Sequence, residues 1–113
     1  MSMMKKMAVA ALVAFMMAGV VQAETLTQVQ IRETLANSAN SMIAHKSEIL
    51  AAEAIEQSGG KTDAYNGTCC NGLWQIQTGN LKSLNITGTE YREMSVEKQA
   101  EIYLKLQNME SRR

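Results

Sequence analysis

The chain has 113 residues, carries 11 basic and 11 acidic side chains, and is 46% hydrophobic. That length suits one small domain, and the balanced charge lacks the basic patch or stripe of a dedicated nucleic-acid binder. A single His and two adjacent Cys lack the spacing of zinc motifs, so the sequence implies no metal site and no organic cofactor.

In chain order, the first 23 residues read as an export leader. Lys5 and Lys6 form a short basic start, "MAVAALVAFMMAGVV" runs apolar for fifteen residues, and "VQA" offers small residues at Val21 and Ala23. Cleavage is expected after Ala23, leaving 24–113 as one periplasmic or secreted domain. A run of fifteen falls short of the roughly 20 apolar residues that span a bilayer, so no stable membrane anchor is expected. Without Lys5 and Lys6, nine basic residues face eleven acidic ones, a net charge of about −2. A core of this size is marginal alone, which makes a covalent staple or a partner unsurprising.

Residues 25–38, "TLTQVQIRETLANS", bring Leu26, Val29, Leu35 and Ala36 together at helical spacing, with Ile31 off that stripe, and predict a short amphipathic helix. "ANSANS" interrupts it with cap and turn formers. A second helix is predicted from Ser41 to Gln57, closed by Gly59-Gly60. Residues 61–72, "KTDAYNGTCCNG", read as loop, and "LWQIQ" as an extended piece or a single turn. "TGNLKSLNI" predicts a short helix around Leu81 and Leu84. The clearest helix is "MSVEKQAEIYLKLQNMES". Ser95 suits its N-cap and Glu97 its first turn. Val96, Ala100, Tyr103 and Leu104 line one face of it, with Ile102 and Leu106 at the margins. No second strand is apparent, so the fold class is mainly α.

Cys69 and Cys70 are the only cysteines. Export would place them in an oxidising compartment. A bond between neighbours closes a small ring outside the usual disulfide spacing. Three states are open: a vicinal disulfide stiffening the loop, two thiols, and bridges to a second chain. The first is favoured.

The order of Gln57-Ser58-Gly59-Gly60, a turn-rich loop, Gly72-Leu73-Trp74-Gln75-Ile76, and Met94-Ser95 to Gln99 running into Ala100-Glu101-Ile102-Tyr103-Leu104 resembles the lysozyme-like lytic transglycosylases (the SLT type) and related muramidases of phages and secretion systems. The resemblance covers about residues 43–108. It implies a small helical lysozyme-like domain that acts on the MurNAc-GlcNAc strands of peptidoglycan, in the service of a secretion or conjugation apparatus. By the same resemblance, Gln75 hydrogen-bonds the sugar near the scissile bond and Tyr103 is the tyrosine of the cleft. Ser58 and Trp74 complete the expected substrate-binding set. Trp74 stacks on a pyranose face or is plain core. Tyr65 and Asn66 are candidates to line the loop, and His45 reads as a surface residue. The chain is shorter than the family's usual domain, and by the resemblance part of the C-terminal helical half is expected to be missing.

The family's acid is the Glu directly before Ser-Gly. Here Gln57 holds that place, and Glu56 lies one residue earlier. A neutral amide cannot move the proton that glycosidic cleavage needs. The resemblance implies one Glu as both acid and base, assisted by the substrate's acetamido group, unlike the two-carboxylate scheme of most glycosidases. At about 100° per residue, Ile43, Leu50, Ala51 and Ala54 share one sector of the second helix, Gln57 falls at its margin, and Glu56 points roughly opposite. A one-residue adjustment before the glycines would swing Glu56 inward, and Glu56 is the expected catalytic residue. The alternatives are a chain with no acid, and Glu53, one turn before Gln57 and expected to sit too deep. Two functions follow: an exported peptidoglycan lyase, and a non-catalytic relative that binds glycan strands or a partner protein. A small helical periplasmic protein with accidental motifs is the third.

Overall fold

The first described residues are pinned to a loop far along the chain. The computed structural model describes residues 24–111, with side chains through Glu110, so the expected leader at 1–23 lies outside the described residues. Glu24 N donates to Thr62 Oγ1 at 3.1 Å, Thr62 N donates to Glu24 O at 3.0 Å, and Leu26 N donates to Gly60 O at 2.9 Å. This anchoring keeps the segment before Thr27 extended, with Thr25 bridged to Lys61. Helix α1 therefore runs Gln28–Ala36 rather than beginning near Thr25. Thr27 caps it: its side chain accepts from Gln30 N at 3.1 Å while Gln30 Oε1 accepts from Thr27 N at 2.9 Å. The buried face also differs from the expected stripe. Ile31 and Leu35 are fully buried and Val29 is 51% exposed. Leu26 has left the helix for the extended segment, so it no longer helps to set which face turns inward.

The second predicted helix is two. Asn40 accepts from Met42 N at 3.0 Å and Ile43 N at 3.4 Å and opens α2, Ser41–His45. Lys46, at φ −98° and ψ 15°, separates it from α3, Ser47–Ser58. Ile43, Leu50, Ala51 and Ala54 are all buried despite the break. Gly59 ends α3 in the left-handed conformation at φ 69°, its N–H donating to Ile55 O.

A two-stranded antiparallel ladder, unpredicted, follows the loop. β1, Cys70–Asn71, pairs with β2, Ile76–Gln77, in the register Cys70 with Gln77 and Asn71 with Ile76. Strands of two residues are too short to display a period of two. This ladder is held by its side-chain chemistry: Asn71 Nδ2 donates to Ile76 O at 3.0 Å and to Thr78 Oγ1 at 3.0 Å. Helix α4, Thr78–Lys82, runs on from β2. Helix α5, Gly88–Arg92, has no counterpart in the sequence reading and opens on a Thr87–Glu90 capping box. The long α6, Val96–Ser111, begins where Ser95 Oγ accepts from Lys98 N at 3.1 Å.

The chain is mostly helical, as its class predicts. One hydrophobic cluster joins Ile31 and Leu35 of α1, Leu50, Ala51 and Ala54 of α3, Leu73 and Trp74 of the turn, Tyr91 of α5, and Ala100 and Ile102 of α6. Fully burying a side chain of Leu or Ile size contributes about 1.5–3 kcal/mol, so the turn is part of the core rather than an ornament on it. Among the described residues no helix is long and apolar enough to cross a membrane.

Candidate functional site

The site is built on the four-residue turn from Gly72 to Gln75, between β1 and β2. Its position is set by Gln99 of α6, which is fully buried. Gln99 Oε1 accepts from Leu73 N at 2.9 Å, and Gln99 Nε2 donates to Thr62 O at 2.9 Å and to Met94 O at 3.2 Å. One amide thus ties the turn, the loop after α3 and the start of α6 together. Below it, Tyr91 donates its hydroxyl to Gln99 O at 2.9 Å. Burial pushes the Tyr91 phenol well above its ordinary value, with the nearby Tyr103 adding to the shift. Gly72 is required where it stands. Its φ is +76°, and a Cβ there would lie 2.5 Å from the Tyr91 ring and 2.6 Å from Gln99 Oε1.

With the turn fixed, Trp74 enters the core at 3% exposure, its indole N–H donating to Leu50 O at 3.0 Å. Its ring stacks on Tyr103, centroids 5.6 Å apart and planes 13° from parallel. The Tyr103 hydroxyl donates to Glu53 Oε1 at 3.2 Å. Partial burial, then the negative charge of Glu53 and that hydrogen bond, push the Tyr103 phenol up to about 12. Tyr103 is therefore a fixed neutral donor across the whole neutral range. A groove of about 290 Å³ runs past this pair, lined among others by Trp74, Gln75, Gln77, Asn80, Tyr103 and Gln107. That is near the lower end of about 300–1,000 Å³ for small-molecule sites. Among the described residues, Glu110 is the charged side chain in its lining. A larger open groove of about 820 Å³ borders α6 with Asn40, Met42, Lys46 and Leu104, and Trp74, Gln75 and Tyr103 do not line it.

The residues singled out from the sequence separate accordingly. Trp74, Gln75 and Tyr103 meet at one groove. Gln75, at φ +45°, closes its own turn, with Nε2 donating to Gly72 O at 3.0 Å and Ala64 O at 3.4 Å. Trp74 is almost wholly covered and has no ring face to offer a sugar. Ser58 is absorbed by the end of α3, donating to Ala54 O at 2.9 Å and accepting from Gly60 N at 3.2 Å. Glu56 and Gln57 are both exposed on the last turn of α3, and His45 is exposed. Glu53 is half-buried, not sequestered, and is joined to the groove through Tyr103. Helical spacing held the signal: Glu53 precedes Gln57 by one turn on the same flank. Gln99 entered the sequence reading only as the end of the Met94-Ser95 motif and Tyr91 not at all, because neither a buried amide nor a core tyrosine stands out from a polar helix pattern.

Cys69 and Cys70 are bonded to each other. Asn66 organises their loop, its Oδ1 accepting from Thr68 N at 3.0 Å, Cys69 N at 2.9 Å and Cys70 N at 3.2 Å. Tyr65, half-exposed, carries the Arg92 guanidinium 4.4 Å above its ring. Among the described residues no group of three His, Cys, Asp or Glu side chains could hold a metal ion.

Comparison of the chain with protein-family models, with curated proteins and with solved structures finds no match.

Proposed function

We propose that the chain is an exported, lysozyme-like protein that holds the glycan strands of peptidoglycan in the groove beside Trp74 and Tyr103. The observation that carries this reading is the meeting of the Gln75 turn and Tyr103 at one groove whose rim is rich in amides. Gln77 and Asn80 are exposed there. Side-chain amides both donate and accept, which suits the hydroxyl and acetamido groups of an amino sugar. The motif order of the sequence supports the same ligand.

A second reading, cleavage, is favoured by the Tyr103–Glu53 hydrogen bond. Here Glu53 would serve as the single acid and base, with Tyr103 holding its carboxylate in place. Exposure of Glu56 and Gln57 at the helix end leaves Glu53 the carboxylate joined to the groove by a hydrogen bond.

Binding of chitotetraose and of purified peptidoglycan tests the first reading. Replacing both Gln77 and Asn80 by Ala removes two rim amides at exposed positions, so the fold is expected to persist. Affinity is expected to fall about 5- to 150-fold, as two hydrogen bonds of about 0.5–1.5 kcal/mol each are lost. Equal binding by parent and variant, or none by either, sinks the reading. Release of soluble fragments from cell walls tests cleavage: Glu53→Gln is expected to abolish it and leave binding intact. Loss in Glu56→Gln alone would return the acid to Glu56.

A further inference from the structure

We propose that the Cys69–Cys70 disulfide is a redox lock on the groove wall, which a dithiol reductant opens to loosen the base of the Gly72–Gln75 turn, at Cys70 and Thr78, while the domain stays folded. Only the consequence for ligand rests on the glycan reading above.

Three observations converge. First, the ring joins adjacent residues. In the chain-entropy account, a disulfide constrains the unfolded state more as the loop it closes lengthens. A loop of two residues is the shortest possible, so this bond is a poor staple for the domain as a whole. Second, it is reachable. Cys69 is part-exposed while Cys70 is 9% exposed, so attack falls on the Cys69 sulfur. A thiolate of the reductant bonds to Cys69 Sγ, the S–S bond breaks, and Cys70 leaves and takes up a proton. The second thiol of the reductant then displaces Cys69. Two electrons and two protons pass to the two cysteines, and the reductant departs as its own disulfide.

Third, the peptide inside the ring is wired to the hairpin. Cys69 O accepts from Thr78 N at 2.7 Å and from Thr78 Oγ1 at 2.9 Å. The N–H groups of both cysteines donate to Asn66 Oδ1, and Cys70 O accepts from Asn66 N at 3.3 Å. Cys70 is itself a ladder residue opposite Gln77. The ring fixes the torsions of the peptide whose Cys69 O meets Thr78 and whose Cys70 N–H meets Asn66, with the Cys69 N–H and Cys70 O of the flanking peptides set beside it. Opening it frees those torsions at the base of the turn. Gln99, Tyr91 and the indole N–H of Trp74 hold the other side of the turn through partners that do not involve the sulfurs. The response is therefore local.

Amide hydrogen exchange of the full chain, with and without dithiothreitol, tests this in the absence of any glycan. Reduction is expected to speed exchange at Cys70 and Thr78 about tenfold or more and to leave Leu50 and Gln99 unchanged, the pattern of a local opening. The melting temperature is expected to fall by less than about 8 °C. A Cys69→Ser, Cys70→Ser double variant is expected to show the reduced pattern and to ignore the reductant. Unchanged exchange at Cys70 and Thr78 overturns the proposal. So does acceleration at Leu50 and Gln99 in step with them, or a double variant that does not fold, since either makes the ring a global staple. Chitotetraose affinity, where present, is expected to weaken on reduction. A chain that binds no glycan in either state removes the glycan reading and leaves the exchange result to stand alone.

Discussion

Replacing Gln99 by Met keeps the length and flexibility of the side chain and deletes its amide. Two fully enclosed backbone groups then lose their partner: Leu73 N, which donates to Gln99 Oε1, and Thr62 O, which accepts from Gln99 Nε2. Leaving a buried polar group unsatisfied costs about 1–3 kcal/mol, so the pair costs roughly 2–6 kcal/mol. Met94 O has the third bond, at a part-buried site where water can replace the amide. A domain of this size holds about 4–13 kcal/mol in total at 0.05–0.15 kcal/mol per residue. The substitution is therefore expected to consume a large share of the stability or all of it. Urea unfolding followed by the emission of Trp74, the single Trp of the chain, reads the loss directly. Its slope against denaturant should not change if only stability is affected. A loss below about 1 kcal/mol would refute the reasoning, because it would mean that the turn is fixed without Gln99.

Gly72→Ala is expected to destabilise by at least about 2 kcal/mol, since it combines an unfavourable positive φ with a Cβ pressed onto the Tyr91 ring; a melting temperature equal to that of the parent would contradict this. Tyr103 gives a pH prediction. Its folded value, raised from 10.0 to about 12, means that the unfolded chain loses the phenol proton first as pH rises, so stability is complete below about pH 10 and is lost between 10 and 12. Tyr91 is shifted the same way and adds to the decline. Tyr103→Phe should shrink the loss in that window by no more than about 1–2 kcal/mol, since the residue is half-exposed and solvent screens it, and an identical alkaline profile would dismiss the assignment. Asn66→Ala should lower stability by about 1 kcal/mol and speed exchange at Cys69 and Cys70, whose N–H groups lose their shared acceptor; unaltered exchange there would show that the loop does not depend on Asn66.

What the sequence disclosed was mostly local chemistry. Ser95 and Gly59 announced a helix start and a helix stop because each satisfies backbone groups within its own turn. Gln75 and Tyr103 border one groove, whereas the end of α3 with Glu56 and Gln57, expected to join them, is not among its lining residues. What stayed hidden depended on partners far along the chain. Ile31 rather than Val29 faces inward, and Leu26 stands outside α1, where it and Glu24 are bonded to the loop at Gly60 and Thr62. Helix α5 is five residues long, and its role is to deliver Tyr91 to Gln99, eight positions later. Glu53 seemed too deep because helical spacing places a side chain on a face but does not say what stands opposite. The hydroxyl of Tyr103, fifty residues away, stands there and keeps the carboxylate at half-burial.

The groove and the core share their residues, and this bears on whether the chain holds a glycan or cuts it. Trp74 is spent on the core, stacked on Tyr103 and bonded to Leu50 O, so on the proposed reading recognition falls to the rim amides. Side-chain amides both donate and accept, as hydroxyl and acetamido groups require, and among the described lining residues there is no Lys or Arg. Holding a neutral amino sugar thus needs nothing that the fold does not already fix. Cutting needs more: a carboxylate that exchanges protons with the sugar itself. Glu53 does not line the groove and meets it through the Tyr103 hydroxyl, which is already donated to Glu53 Oε1. For Glu53 to act, the ligand must displace that hydroxyl or reach past it, whereas Glu110 is a carboxylate that lines the groove directly. On the proposed reading, binding requires no such rearrangement of Glu53 and Tyr103, which is why holding is put before cutting.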